Sequence, residues 1–243
     1  ASSPFGWRNE FGKQQDFSTL WVTGKIAWRP STVVRALEFL KAETDAVAKV
    51  TIPAPQVVHC FMGGDPVVRK SWYRDVDEFW EDLVAAYRQE LSALYAAGAT
   101  YIQLDDVGIP FICDPSHADI FRSWGTTPEA LLAEYARRIN QLLDGRPNHV
   151  TVTLHQCRGN REGLWAADGG YDPVADVLFN QIDVDGYFLE YDTPRAGSFE
   201  PLRFLPDGKV VALGLVSSKT PELESKDALK RRIDEAGRFT PLE

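Results

Sequence analysis

The chain has 243 residues, enough for one large α/β domain or two small ones, and its 44% hydrophobic and 25% charged residues are those of an ordinary folded chain. A formal net charge of −9 argues against nucleic acid or an anionic membrane surface as the main partner, since both reward a basic surface. No apolar run approaches the ~20 residues that span a bilayer, which argues against a membrane-embedded chain.

The opening Ala1-Ser2-Ser3-Pro4-Phe5-Gly6-Trp7 has no basic stretch leading into an apolar core, unlike a secretory signal. Residues 1–20 keep no steady period and mix Gly, Ser and charges with Phe5, Trp7, Phe11 and Phe17, so an irregular segment is expected. Residues 20–27 then read as a strand, and 31–43 as a helix capped by Ser31 or Thr32. The β-branched run Val50-Thr51-Ile52 predicts a strand at 49–53, with 57–61 in the loop after it. Over 77–97, Phe79, Trp80, Leu83, Val84, Tyr87, Leu91, Leu94 and Tyr95 recur at helical spacing, and Gly98 ends the run.

Residues 101–104 form the next predicted strand, closed by Asp105-Asp106. A helix follows over 128–143, with Thr127 as cap and Pro128 at the first helical position. Strand 150–154 leads into His155-Gln156-Cys157, helix 173–181 precedes strand 186–189 with Glu190 at its end, and strand 210–215 leads into Val216-Ser217-Ser218. The last predicted helix covers 226–236. Neither an internal repeat nor a Gly-, Ser- or Pro-rich linker divides the chain, so a single domain over 1–243 is expected.

Strands alternating with helices imply parallel βαβ units. Asp105, Asp106, His155, Cys157, Glu190 and Ser217 all fall at C-terminal strand ends, the rim on which (β/α)-barrel sites are assembled. The expected fold class is therefore α/β, a (β/α)8 TIM-type barrel. Six strands are counted where eight are needed, so either terminal strand segments are missing or the sheet is open. A doubly wound sheet is disfavoured, because no Gly-rich phosphate fingerprint follows any strand. Cys60, Cys113 and Cys157 are odd in number and widely spaced, unlike a disulfide framework, and point to a reducing, cytoplasmic compartment.

His155-x-Cys157 carries the sharpest chemistry. Side chains two apart at a strand end share a face, so both can reach one ion. An imidazole nitrogen with a thiolate favours zinc over magnesium or calcium, although a buried His and a core Cys are the plainer alternative. Glu190 ends the next strand, at the same rim.

These segments resemble the cobalamin-independent methionine synthase family. Gln103-Leu104-Asp105-Asp106 is similar to the family's strand ending in Asp-Glu, whose Asp holds the amino group of homocysteine. His155-x-Cys157 followed by Asp185-Gly186-Tyr187-Phe188-Leu189-Glu190 resembles the family's zinc-ligand pattern, and Thr23-Gly24-Lys25-Ile26 and Val50-Thr51-Ile52-Pro53 match in order and spacing. The resemblance runs from about residue 20 onward. It implies His155, Cys157 and Glu190 as zinc ligands, a fourth Cys ligand just beyond Glu243, and Asp105 as the substrate-amine contact. The implied activity is zinc-dependent methylation of a thiol such as homocysteine, with a small-molecule thiol and a methyl or alkyl donor as partners.

Two departures bear on the donor. Where the family has a His that protonates the departing folate nitrogen, this sequence has Lys219, expected to stabilise charge on the leaving side. The loop after the second matched strand, His59-Cys60-Phe61-Met62-Gly63-Gly64-Asp65, departs from the family's folate-holding loop, and His59 is the candidate proton donor or anion contact there. Arg158 is a candidate partner for a substrate carboxylate or sulfonate, or else a rim salt bridge to Asp105, Asp106 or Glu162. Asp106 is a second substrate contact or a helix cap. The competing readings are alkylation of another thiol, as in the epoxyalkane–coenzyme M transferases, a metal-free decarboxylase of the uroporphyrinogen type, and a non-catalytic barrel.

Overall fold

The computed structural model describes residues 3–16, 18, 20–70 and 72–242. Ala1, Ser2, Phe17 and Thr19 of the expected irregular segment, together with Ser71 and the terminal Glu243, lie outside the described residues. In chain order the elements are β1 (Trp7–Arg8), β2 (Gln14–Gln15), α1 (Thr32–Glu43), β3 (Lys49–Pro53), α2 (Pro55–Met62), α3 (Asp65–Val68), α4 (Val76–Ala96), β4 (Tyr101–Asp106), α5 (Gly108–Ile112), α6 (Ala118–Ser123), α7 (Pro128–Leu143), β5 (Thr151–Gln156), α8 (Ala175–Gln181), β6 (Gly186–Glu190), β7 (Val210–Gly214) and α9 (Lys226–Ala236).

Strands β3 to β7 form one parallel sheet in strict sequence order. A doubly wound sheet reverses its strand order where its two halves meet, and this sheet has no such reversal. The helices follow the same progression: α1 packs on α4, α4 on α7, and α7 on α8. Sequential parallel strands with helices in sequence along one side are the winding of a (β/α) barrel. Among the described residues the sheet has five strands rather than the six expected.

The strand pleat sorts the side chains by face. Val50, Ile52, Ile102, Leu104, Val152, Leu154, Tyr187 and Leu189 are buried and belong to the apolar core, whereas the alternate positions Lys49, Thr51, Tyr101, Gln103, Asp105, Thr151, His155 and Phe188 are only half-buried or exposed. The second set is the concave, barrel-interior face. Each strand end therefore delivers one residue to the helices and the next to the interior.

Two expectations are corrected. Residues 20–27 do not form a strand. The segment is apolar at both ends, but a strand needs a ladder partner, and the Ile26 N–H instead donates to the Tyr73 hydroxyl at 2.7 Å. Residues 57–61 are not loop but the body of α2. Pro55 stands at its first position and Gly63, in the left-handed region, closes it. Helix α7 keeps the predicted bounds, with the Thr127 hydroxyl accepting from the Ala130 N–H, and α9 matches its predicted span. No helix among the described residues is long and apolar enough to cross a membrane.

Candidate active site

The rim is assembled by register. Asp105 pairs with His155 across β4 and β5, His155 with Phe188 across β5 and β6, and Glu190 with Gly214 across β6 and β7. The Cys157 N–H donates to the Asp106 carbonyl at 3.2 Å, so the β-geometry continues past β5 and keeps Cys157 on the same side as His155. Together with Asn160, Glu190, Asp192 and Lys219, these two residues line a cavity of about 370 Å³ whose apolar wall includes Phe188 and Ala212.

Charge organises this cavity. Glu190 Oε2 accepts the Arg158 N–H at 2.8 Å, while Oε1 accepts from Arg195 at 2.8 Å and from Lys219 Nζ at 3.1 Å. Asp192 accepts from Arg195 at 3.2 Å, from Lys219 Nζ at 3.1 Å and from the Ser217 hydroxyl at 2.9 Å. Two carboxylates thus share two cations, all largely screened from water. Burial alone would raise the Asp192 carboxyl, but Lys219, Arg195 and Ser217 outweigh it and hold the group below the usual range. Cys157 goes the other way: burial first, and then the Glu190 charge, push its thiol up to about 11, against a Gly159 N–H that favours the thiolate.

Arg195 is anchored behind the cavity. Its guanidinium lies over the Trp165 ring at 4.3 Å, and its Nε faces Asp168 at 3.6 Å. Asp168 in turn receives Arg8, which also binds Asp114. The N-terminal strand β1 reaches this rim through an antiparallel bridge between Arg8 and Trp165. Gly159, at φ +86°, makes room for the Trp7 ring, which would lie 2.6 Å from any Cβ there.

The structure brings together His155, Cys157, Glu190 and Lys219 but separates the other candidates. Asp105 is on the interior face beside His155, outside the lining of the cavity, and accepts from Thr51 at 2.6 Å and Gln103 at 2.5 Å. Asp106 faces the helices. Fully buried, it takes the Gly108 and Ile109 N–H groups at 2.7 and 3.1 Å and the Gln156 amide at 2.8 Å, so it anchors the start of α5 from one residue ahead of the cap position and is not a cavity residue. Burial raises its carboxyl, and those donors offset only part of the cost.

Arg158 is neither an open anion contact nor a rim salt bridge. Its buried side chain donates to the carbonyls of Gly169 and Glu190 and to the Tyr171 hydroxyl. His59 lies in α2 rather than a loop, buried, with Nδ1 2.9 Å from the Tyr135 hydroxyl and Nε2 3.0 Å from Asp65. Lys219 does reach the cavity, but as the partner of Glu190 and Asp192.

Asp192 and Arg195 were missed from the sequence. Asp192 follows Glu190 by two, and the same-face rule that joins His155 to Cys157 selects it equally well. Arg195 left no comparable signal.

The donor set of imidazole, thiol and carboxylate on one cavity suits zinc chemically. The closer expectation, three donors drawn up around one ion, is not met: among the described residues no three His, Cys, Asp or Glu side chains gather closely enough to hold a metal. Glu190 is tied instead to Arg195 and Lys219. Cys60 and Cys113 are buried outside this cavity.

Residues 18–243 match the family model described as "Cobalamin-independent synthase, Catalytic domain". Protein YxjH of Bacillus subtilis (strain 168) is 39% identical over 224 residues, which cover 91% of this chain and 58% of that protein. The methionine synthase of Pyrococcus abyssi is 26% identical over 95% of this chain and 56% of its own length. This chain therefore spans a little over half the length of these curated relatives. Among solved structures, the putative vitamin-B12 independent methionine synthase from Listeria monocytogenes superimposes with a TM-score of 0.70 at 33% identity, over 90% of this chain and 62% of that one. A B12-independent methionine synthase from Shewanella sp. W3-18-1, at 20% identity and a TM-score of 0.68, shares the fold over 93% of this chain and 61% of its own.

Proposed function

The chain belongs to the cobalamin-independent synthase catalytic-domain family, and on that footing we propose that it is a zinc-dependent methyltransferase acting on a small-molecule thiol such as homocysteine. The observation that carries this reading is the placement of His155, Cys157 and Glu190 at the ends of two neighbouring strands, lining one cavity. In this reading residues 1–243 act as one barrel-type domain in the cytoplasm.

His155, Cys157 and Glu190 would hold the zinc. When bound, that ion supplies a thiolate at neutral pH from a substrate thiol whose free pKa of about 8.5 leaves it mostly protonated. The rest falls to the protein's own groups. Asp105, beside His155 on the interior face, receives the ammonium of an amino-acid thiol and so fixes which way its sulfur points. Asp192 and Arg195 hold the Glu190 carboxylate in place. Phe188 and Ala212 give the substrate an apolar wall to rest against.

Alkylation of an anionic thiol, the competing chemistry, drew on Arg158 as its anion contact. With that guanidinium buried on backbone carbonyls, the reading loses that support and keeps only the altered 59–65 segment. The test is zinc content of protein purified without chelator, together with thiol-dependent consumption of candidate methyl donors. Zinc that stays bound after replacement of both His155 and Cys157 would sink the reading.

A further inference from the structure

Glu190 already has a cation where a metal would need it. Its carboxylate and the Lys219 ammonium are 9% and 6% exposed, so neither can fall back on water when separated. Oε2 is committed to the Arg158 N–H, and Oε1 is shared by Arg195 and Lys219. The two cations are not equivalent. Arg195 is stacked over Trp165, faces Asp168 and also binds Asp192, so its planar fork is fixed from three sides. Lys219 is held at its backbone, where its N–H donates to the Ser217 hydroxyl at 3.2 Å, but its ammonium rides on a flexible stem. That ammonium lies 3.1 Å from Asp192 Oδ2 as well as 3.1 Å from Glu190 Oε1. It can leave Glu190 without losing its counter-charge.

Resting on the zinc reading above, we infer that Lys219 is a displaceable counter-cation: it neutralises Glu190 in the metal-free site and withdraws onto Asp192 when a metal takes Glu190. Metal uptake and the Lys219–Glu190 contact are then mutually exclusive, and the site's affinity for zinc includes the cost of moving Lys219. The arrangement keeps a buried carboxylate paired at every stage.

A double-mutant cycle on metal affinity tests this, using the full chain depleted of metal and titrated with zinc against a chromophoric chelator at fixed pH. Lys219→Met should tighten zinc binding about tenfold or more when Glu190 is present and leave it unchanged in a Glu190→Gln background. Equal tightening in both backgrounds would reduce Lys219 to a distant charge and overturn the inference, as would weaker binding in Lys219→Met. If that variant does not fold, Lys219→Arg replaces it; its fork can bridge both carboxylates and should weaken zinc binding, and unchanged affinity would count against displacement. Failure of the zinc reading looks different: wild type and His155→Ala would then bind zinc equally poorly, and the inference would fall with it.

Discussion

Arg8 and Asp168 are 160 residues apart in the chain, yet their side chains meet at 2.8 Å. Asp168 faces Arg195 and Arg195 binds Glu190, so the pair is the outer end of a charge chain running from the N-terminal strand into the candidate site. Arg8 also satisfies Asp114, which is almost wholly buried. Replacing Arg8 with Ala should destabilise the fold by about 1–3 kcal/mol, the cost of removing the cationic partner of a buried carboxylate, moderated by the Ser116 and Asp168 donors that Asp114 keeps and by the part-exposure of Arg8 and Asp168. Urea denaturation of the two proteins measures it. A loss under about 0.5 kcal/mol, within the range of an ordinary surface change, would mean the chain is ornamental.

The same corner sets an acid limit. Burial lowers His117 below its ordinary 6.5, outweighing the opposing pull of Asp114 and the Phe111 carbonyl. Burial would raise Asp114, but Ser116, the Asp168 N–H, His117 and Arg8 together bring it below its ordinary 3.8. Both folded values lie under the unfolded ones, so both contributions are present above the unfolded value and lost as pH falls through the folded one. Thermal stability should begin to fall below about pH 6.5 as the unfolded chain takes up the His117 proton, and fall again below about pH 4. In His117→Gln the first loss should be shallower than in wild type when melting temperature is followed from pH 7.5 to 5; identical profiles would refute the assignment.

Gly64 is a second point of stress. It sits at φ +70°, and a Cβ there would meet the Trp124 ring at 2.3 Å. Gly64→Ala combines backbone strain with displacement of a packed indole and should cost about 2–4 kcal/mol. Gly125 has a similar φ of +81° but open space around it, so Gly125→Ala should cost only about 1 kcal/mol. Equal effects of the two substitutions would show that the ring contact is irrelevant.

His59 provides a control on the site itself. His59→Ala leaves the buried Tyr135 hydroxyl without its ring-nitrogen partner and opens a void among Trp80, Phe79 and Trp124. A destabilisation of about 2–4 kcal/mol is expected, with zinc affinity unchanged. Loss of zinc affinity in a folded His59→Ala protein would return this histidine to the candidate site.

The contrast between His59 and His155 shows what a sequence can disclose. Strand ends are legible because short apolar runs are local and the ionisable residues that close them stand out; β4, β5 and β6 with Asp105, His155 and Glu190 are legible that way. Helix α7 was legible from its cap chemistry and α4 from its apolar period. The strand expected at 20–27 failed because pairing depends on a remote ladder, which local apolar content does not supply. Arg158 misled for a related reason: its partners are the backbone carbonyls of Gly169 and Glu190, and any residue type carries one.

Asp105 and Asp106 are chemically twins and neighbours, yet one turns to the barrel interior and the other ties down the start of α5. Gln156, between His155 and Cys157, likewise serves the helix side. Along these strands, scaffold and chemistry are written in alternate letters. Substitutions can therefore revise the interior letters, and with them the preferred substrate, while the helices keep their anchors. An insertion or deletion of one residue has no such freedom, because it would hand every anchor the place of a reactive group.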